Sequence, residues 1–251
     1  MRVALIQMDI EWGDPAANIK KAETMMKDCE ADLYVLPEMW ATGFAVHPEK
    51  VAEDEDTSLA LAWMKATALQ RQCAICGSLA IREAGGSYRN RLYFVTSEGT
   101  SFYDKRHLFT YAGEDQHYVR GEKQVIVNFR GWRLLLLVCY DLRFPMWSRW
   151  GRAGEYDAII YVANWPDTRQ YAWNTLLRAR ALENQCYVVA VNRVGQERKL
   201  SFSGGSVVID PLGKVTDSCP PEECVIVGEL ETGIIETQRT EFPVLQDRDF
   251  V

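Results

Sequence analysis

The sequence predicts an α/β protein built on mixed sheets, and three observations carry that expectation. Short, strongly apolar runs such as LYVLPE (33–38), WRLLLLVC (132–139) and CYVVAVN (186–192) recur as buried strands should. Between some of them lie stretches with helical spacing, long enough for parallel crossovers. Others are separated only by turn signals (AGGS, EGT, RG), which make hairpins. A doubly wound sheet and an α/β barrel of similar length share this pattern, and periodicity alone does not choose among them.

Taken in order, RVALIQM (2–8) reads as the first strand. Asp14-Pro15 supplies an N-cap with proline at the first helical position, and a helix to about Cys29 turns Ile19, Ala22, Met26 and Cys29 inward. LYVLPE is a short buried strand with a proline-marked end. A second helix is expected from about Ser58 to Gln70, with Leu59, Trp63, Ala66 and Leu69 or Gln70 on its inner side. CAICGSLAIRE (73–83), YRNRLYFVTS (88–97) and SFYDK (101–105) read as antiparallel sheet. QVIVNF (124–129) and WRLLLLVC flank a tight turn at Arg130-Gly131. YDAIIYVAN (156–164) and CYVVAVN are further buried strands joined by the helix TRQYAWNTLLRARALENQ (168–185). SGGSVVID, PLGK and ECVIVGEL close the sheet region around a turn at Asp210 to Gly213, and the tail from Glu231 onward is weakly patterned. With no repeat, low-complexity tract or linker, residues 1–251 are expected to form one domain.

The 28 basic and 35 acidic residues give a formal charge of −7, which disfavours nucleic acid or an anionic membrane as partner. Any anionic ligand must then be held by local positive charge. The first apolar run is closed by Asp9 and Glu11, too short for a signal peptide, and no run reaches the length of a membrane span. The cytoplasm is the expected location. Seven scattered cysteines do not suit a disulfide framework and read as free thiols, most of them buried.

Three of the apolar strands end in a chemically capable residue: LYVLPE in Glu38, SFYDK in Lys105, and LLLLVC in Cys139. Strand ends are where an enzyme gathers groups from distant parts of a chain. A free thiol has a pKa of roughly 8.5, so Cys139 needs a base to attack an amide near neutrality. Glu38 can take the thiol proton and return it to a leaving group; Lys105 and the backbone N–H of Tyr140, beyond an elbow at Cys139, can face a developing oxyanion. Singly, each residue also has an ordinary reading: a core cysteine, a helix-capping glutamate, a solvated lysine in DKRH. Their shared position argues for a site.

Cys73-Ala-Ile-Cys76 has CxxC spacing but lies within a strand pattern and reads as core. His47, His107 and His117 are too few and too dispersed to suggest a metal site. Gly204-Gly205 reads as a strand or bulge feature, since no helix follows as a phosphate loop requires. No cofactor is expected.

LPEMW (36–40), YDKRHLF (103–109) and LVCYDLRFP (137–145) resemble, in the right order, the three signature segments of the carbon–nitrogen hydrolase, or nitrilase, superfamily. ANWP (163–166), RARALENQ (178–185) and SGGSVVIDPLG (203–213) match its later segments, so the likeness covers nearly the whole chain and is greatest to the bacterial omega-amidases. The resemblance implies a four-layer αββα sandwich, a homodimer or higher homo-oligomer, and hydrolysis of small omega-monoamides such as 2-oxoglutaramate and succinamate. It carries the nucleophile onto Cys139, the general base and acid onto Glu38, the oxyanion lysine onto Lys105, and a further supporting glutamate onto Glu114 in YAGEDQHY. N-carbamoyl amine or nitrile hydrolysis, or a non-catalytic binding role, are the alternatives. For an anionic amide, Arg143 is the candidate carboxylate partner, with pairing to Asp141 or Glu183 as its structural alternative. Trp165 and Tyr111 are expected to wall the pocket.

Overall fold

After β1 (Arg2–Gln7), the Asp14 side chain accepts the Ala17 N–H at 3.0 Å and caps α1 (Pro15–Met26), with proline in its first turn as its restricted φ favours. β2 (Leu33–Val35), the two-residue β3 (Glu53–Asp54) and α2 (Leu59–Arg71, capped by the Ser58 hydroxyl) follow. β4 (Ala74–Arg82), β5 (Tyr88–Val95) and β6 (Thr100–Asp104) form the antiparallel run, and short 3-10 turns lead to β7 (Ile126–Phe129) and β8 (Trp132–Val138). Arg130 and Gly131 between them sit at φ 47° and 80°, the two positive values that a two-residue hairpin turn demands. β9 (Ala158–Ala163), α3 (Gln170–Asn184) and β10 (Tyr187–Asn192) make a parallel crossover. A small hairpin, β11 (Val194–Glu197) and β12 (Leu200–Ser203), precedes β13 (Val207–Ile209), β14 (Val215–Ser218), β15 (Cys224–Glu229) and α4 (Thr232–Glu241). The computed structural model describes residues 1–152 and 154–249.

Two mixed sheets result. The first runs β15-β1-β2-β4-β5-β6, parallel from β1 to β4 and antiparallel at both sides, with β3 added beside β4. The second runs β14-β13-β10-β9-β8-β7, parallel across its centre and antiparallel at its edges. Val3, Leu5, Leu33, Val35 and Leu92 share one apolar cluster with Leu134, Leu136, Ile160 and Val189, and Phe94 meets Phe129 across the gap with 5.6 Å between ring centroids, so the sheets pack face to face. The alternate residues Ala4, Ile6, Tyr34 and Ile75 point the other way, onto α1 and α2. Trp173, Leu177 and Ala181 of α3 cover the second sheet. The layers are therefore α, β, β, α, which decides against the single doubly wound sheet and the barrel. Among the described residues no helix is long and apolar enough to cross a membrane.

Three sequence expectations need correction. The inner face of α2 is Ala60, Leu61, Met64 and Ala68, whereas Leu59 and Leu69 are 61% and 59% exposed, Ala66 and Gln70 also face solvent, and Trp63 is only half buried. LALAWMKATAL is apolar on most of its faces, and the stripe rich in alanine is the one that lets the helix lie close on the sheet. α1 ends at Met26, before Cys29. The weakly patterned tail contains α4, with Ile235 as its buried residue. Hydrogen bonds hold this helix in place: Arg239 donates to the carbonyls of Gln185 (3.1 Å) and Tyr156 (2.7 Å), and Gln185 Nε2 to that of Phe242 (2.6 Å).

Candidate active site

The segments that follow β2 and β6 of the first sheet and β8 of the second bring Glu38, Lys105 and Cys139 to one buried cluster. Leu36 N–H donates to Cys76 O (2.7 Å) and Trp40 N–H to Ser78 O (3.2 Å), so the segment between them, with Glu38, follows β4 beyond the end of β2. The Glu38 carboxylate is inaccessible to solvent and fully used: Oε1 accepts from Asn90 Nδ2 and Lys105 Nζ, each at 2.8 Å, and Oε2 accepts the Asn164 N–H at 2.9 Å. Lys105 is the first residue past β6, its N–H held by Asn90 O (2.9 Å). Its ammonium also reaches Glu114 Oε2 at 2.9 Å. Cys139, immediately after β8, faces the Glu38 carboxylate and the Asn164 N–H.

Burial dominates the electrostatics. It raises the Cys139 thiol well above the ordinary cysteine value, with the Glu38 carboxylate adding to the effect and the Lys105 charge opposing it. The sulfur is thus a protonated thiol near neutrality. Burial likewise raises Glu114, against the pull of Lys105. On Lys105 itself burial works against the charge, but Glu114, Glu38 and Cys139 outweigh it and hold the ammonium above its usual range. The Lys105 ammonium thus sits between the carboxyl groups of Glu38 and Glu114, beside a neutral thiol.

Cys139 adopts φ 44°, left-handed backbone that disfavours a residue with a β-carbon by roughly 1–2 kcal/mol. Asp141 holds the turn. Its buried carboxylate accepts the Val138 N–H (3.0 Å), the Tyr103 hydroxyl (2.7 Å) and both the N–H (3.0 Å) and Nδ1 (2.7 Å) of His107. One aspartate therefore ties the cysteine turn to the segment carrying Lys105. Arg180 of α3 donates to Leu142 O at 2.6 Å and fixes the turn from the helix side.

Above the cluster opens a cavity of about 420 Å³, with Glu38, Lys105 and Cys139 in its wall together with Tyr140, Arg143 and Trp165. Arg143 stacks over Trp165, its guanidinium carbon 4.9 Å from the ring centroid. It forms no ion pair among the described residues: Asp141 is committed to Tyr103 and His107, and Glu183 to Arg180 and Arg149. Arg169 also lines the cavity, over the rings of Phe109 and Tyr111. The hairpin of β11 and β12 contributes Glu197 to Leu200 and Phe202; Arg193, buried at its root, binds Glu197 (2.7 Å) and Asp9 (3.1 Å).

Several expected placements differ. Tyr111 is 82% exposed and does not line the cavity; it flanks Arg169 from outside. Glu114 lies beneath Lys105, away from the cavity wall, where it binds the ammonium, the Phe109 N–H (2.6 Å) and Asn90 (3.1 Å). Gly204 and Gly205 form a loop between β12 and β13, both at positive φ. A β-carbon on Gly204 would lie 2.1 Å from Gln7 Oε1. The histidines are not all dispersed: the rings of His47 and His117 meet edge to face, 4.5 Å between centroids. Cys73 and Cys76 are core, in different apolar clusters, and burial pushes the Cys73 thiol up to about 11. Asn90, Asn164 and the bracing role of Asp141 went unnoticed in the sequence. The last two stand within the ANWP and LVCYDLRFP segments, whereas Asn90 in YRNR carries no local signal.

The carbon–nitrogen hydrolase family profile matches residues 2–239. The omega-amidase YafV of Escherichia coli strain K12 is 41% identical over 255 residues, covering 99% of this chain and 97% of that protein. The 2-oxoglutaramate amidase of Bacillus subtilis strain 168 is 35% identical over 250 residues, covering 98% and 96%. Among solved structures, XC1258 from Xanthomonas campestris, a CN-hydrolase superfamily protein with an arsenic adduct in its active site, superposes with a TM-score of 0.95 at 37% identity, covering 100% of this chain and 98% of that one.

Proposed function

The chain belongs to the carbon–nitrogen hydrolase family, and on that footing we propose that it hydrolyses the carboxamide of small omega-monoamides of dicarboxylic acids through a thioester on Cys139. The observation that carries the reading is the buried cluster of Cys139, Glu38 and Lys105 opening into one cavity. Glu38 takes the thiol proton as sulfur bonds to the carboxamide carbon, and the oxygen that gains the charge faces the Lys105 ammonium and the Tyr140 N–H. Glu38 returns the proton to nitrogen; the C–N bond breaks and ammonia leaves. Water then loses a proton to Glu38 and attacks the thioester. The C–S bond breaks, sulfur recovers its proton, and the carboxylic acid departs.

Glu114 is a positioning residue in this scheme, since it touches Lys105 and not the cavity. Substrate choice rests on Arg143. In a chain of net charge −7 it brings to the cavity wall a guanidinium with no ion-pair partner among the described residues, where it can hold a distal carboxylate through two parallel hydrogen bonds. 2-Oxoglutaramate and succinamate fit that demand, and Trp165 beneath the guanidinium limits chain length. A homodimer in the cytoplasm belongs to the same reading, with the exposed Tyr171 and Leu182 of α3 and Leu212 as candidates for the dimer face; sedimentation checks the dimer and cell fractionation the location. Ammonia release from a panel of carboxylate-bearing amides, neutral amides, N-carbamoyl amines and nitriles tests the function. Preference for the first group is expected, preference for any other overturns the substrate assignment, and inactivity on all of them overturns the reaction.

A further inference from the structure

The geometry points to a second site, for a divalent cation of zinc type, formed by His47, Glu49 and His117. The ligand atoms of the three side chains all lie within 4.8 Å of one another. His47 Nδ1 and Glu49 Oε1 are 3.4 Å apart. Ligands at about 2.0–2.2 Å from a tetrahedral ion stand roughly 3.3–3.6 Å from one another, so this pair already has the required spacing. The third ligand has about 1 Å to close. His47 and Glu49 are exposed and His117 half-buried, so rotation of side chains accomplishes it. Two imidazoles and one carboxylate suit Zn²⁺, Ni²⁺ or Cu²⁺, whereas Mg²⁺ and Ca²⁺ favour sites made of oxygen alone.

Local structure assembles the group from distant segments. Buried Pro48 opens a 3-10 turn over Pro48–Lys50, with His47 at its N-cap and Glu49 within it. His117 follows the turn Glu114–Gln116, its N–H donating to Glu114 O at 3.2 Å. The neighbouring Tyr118 hydroxyl donates to Ala45 O at 2.7 Å, which keeps the two segments in register without any ion.

None of the three residues lines the cavity or bonds to Glu38, Lys105 or Cys139, so the ion takes no part in the amide chemistry. Its position gives it another role. It bridges the segment carrying Phe44 and Val46 to the segment carrying Phe109 and Ala112, and all four of those residues form the cavity wall. The ion is a staple across the cavity's rim.

Zinc chloride titrated into chelator-treated protein tests this by calorimetry, thermal melting and X-ray absorption. One zinc should bind per chain at submillimolar concentration, with nitrogen and oxygen scatterers and no sulfur. The melting temperature should rise by roughly 5–10 °C when free zinc exceeds its Kd about a hundredfold. His47→Ala, Glu49→Gln and His117→Ala should each weaken binding about tenfold or more while keeping wild-type turnover in the absence of zinc, which also verifies their folding. The Cys139→Ala protein should bind as wild type does. Unchanged affinity in the two histidine variants, loss of binding with Cys139→Ala, or binding only at millimolar zinc would overturn the assignment.

Discussion

Replacing Lys105 by arginine separates charge from geometry at the proposed oxyanion site. The lysine side chain is enclosed, with Nζ at 2.8 and 2.9 Å from two carboxylates that are themselves inaccessible to solvent. Arginine keeps a positive charge between them, so neither carboxylate is stranded, an event that destabilises a buried pair by about 3–5 kcal/mol. The larger planar head must still be fitted into a filled space, at a cost of about 1–3 kcal/mol in stability. Catalysis should suffer more. A guanidinium drawn towards Glu38 and Glu114 cannot also present one compact donor at the oxyanion, and loss of such a donor lowers kcat by about 10²–10³, or roughly 3–4 kcal/mol. Initial rates of ammonia release at saturating amide, with thermal melts of the same preparations, measure both quantities. The expected result is a folded protein, a few degrees less stable, with kcat reduced by that factor. A folded arginine variant with near-normal kcat removes Lys105 from the role, and lost turnover that merely tracks lost folded protein reassigns the effect to packing.

Cys139→Ala should abolish turnover and leave the melting curve nearly unchanged, because only the sulfur is removed; residual hydrolysis at the wild-type rate contradicts the thioester. Since burial and then Glu38 hold this thiol above the ordinary cysteine value of roughly 8.5, alkylation of wild-type Cys139 by iodoacetamide should keep accelerating as pH rises past about 9. A rate already level at pH 8 would show a thiolate in the resting enzyme. Arg143→Ala should reduce kcat/KM about a hundredfold for 2-oxoglutaramate, the loss of a charge-assisted pair worth about 3 kcal/mol, and far less for a neutral amide of equal length. Equal losses would assign Arg143 to architecture. At the far end of the second sheet, Asp157 is held below its ordinary pKa: burial opposes ionisation, but hydrogen bonds and charge from Arg133, helped by Arg239, prevail. A depressed carboxyl stabilises above its unfolded value and loses that contribution as pH falls through the folded one. Asp157→Asn should therefore be less stable by about 1–2 kcal/mol at pH 7, with the difference closing below about pH 4. A gap independent of pH in urea melts would sink this account.

The candidate site was legible where chemistry coincides with the end of an apolar strand. Cys139 marks such an end directly and Glu38 follows one by three residues, so hydrophobic patterning finds both; Lys105 follows a largely exposed edge strand and is found only as a charged residue at a strand end. The residues that orient them were less legible because their partners are remote in sequence. Asn90 donates to both Glu38 and Glu114, yet nothing in YRNR distinguishes it from a surface asparagine on an edge strand. The hairpin of β11 and β12 escaped notice because VGQERKLSFS lacks alternation; its order comes from Arg193 at the root, bound to Asp9 and Glu197. Tyr111 and the two meeting histidines differ from expectation for one reason: a loop residue's direction depends on the turn that carries it, and turn geometry is set by contacts across the fold. The face of α2 failed differently, since two apolar stripes compete on one helix and only the sheet beneath selects between them.

The proposed reacting groups come from opposite sheets, Glu38 and Lys105 from one and Cys139 from the other, so the apolar layer between the sheets works as a ruler. Leu134, Leu136, Leu5 and Val35 lie away from the cavity, but their combined thickness sets how far the Cys139 sulfur stands from its proposed base. Misplacement of a reacting group by about 1 Å can reduce a rate a hundredfold. Conservative exchanges in that layer, a leucine shortened or a valine enlarged, would change the gap while leaving every polar residue in place. Tuning the speed of this enzyme is in that sense a problem of hydrocarbon packing, decided at positions that no inspection of the cavity would single out.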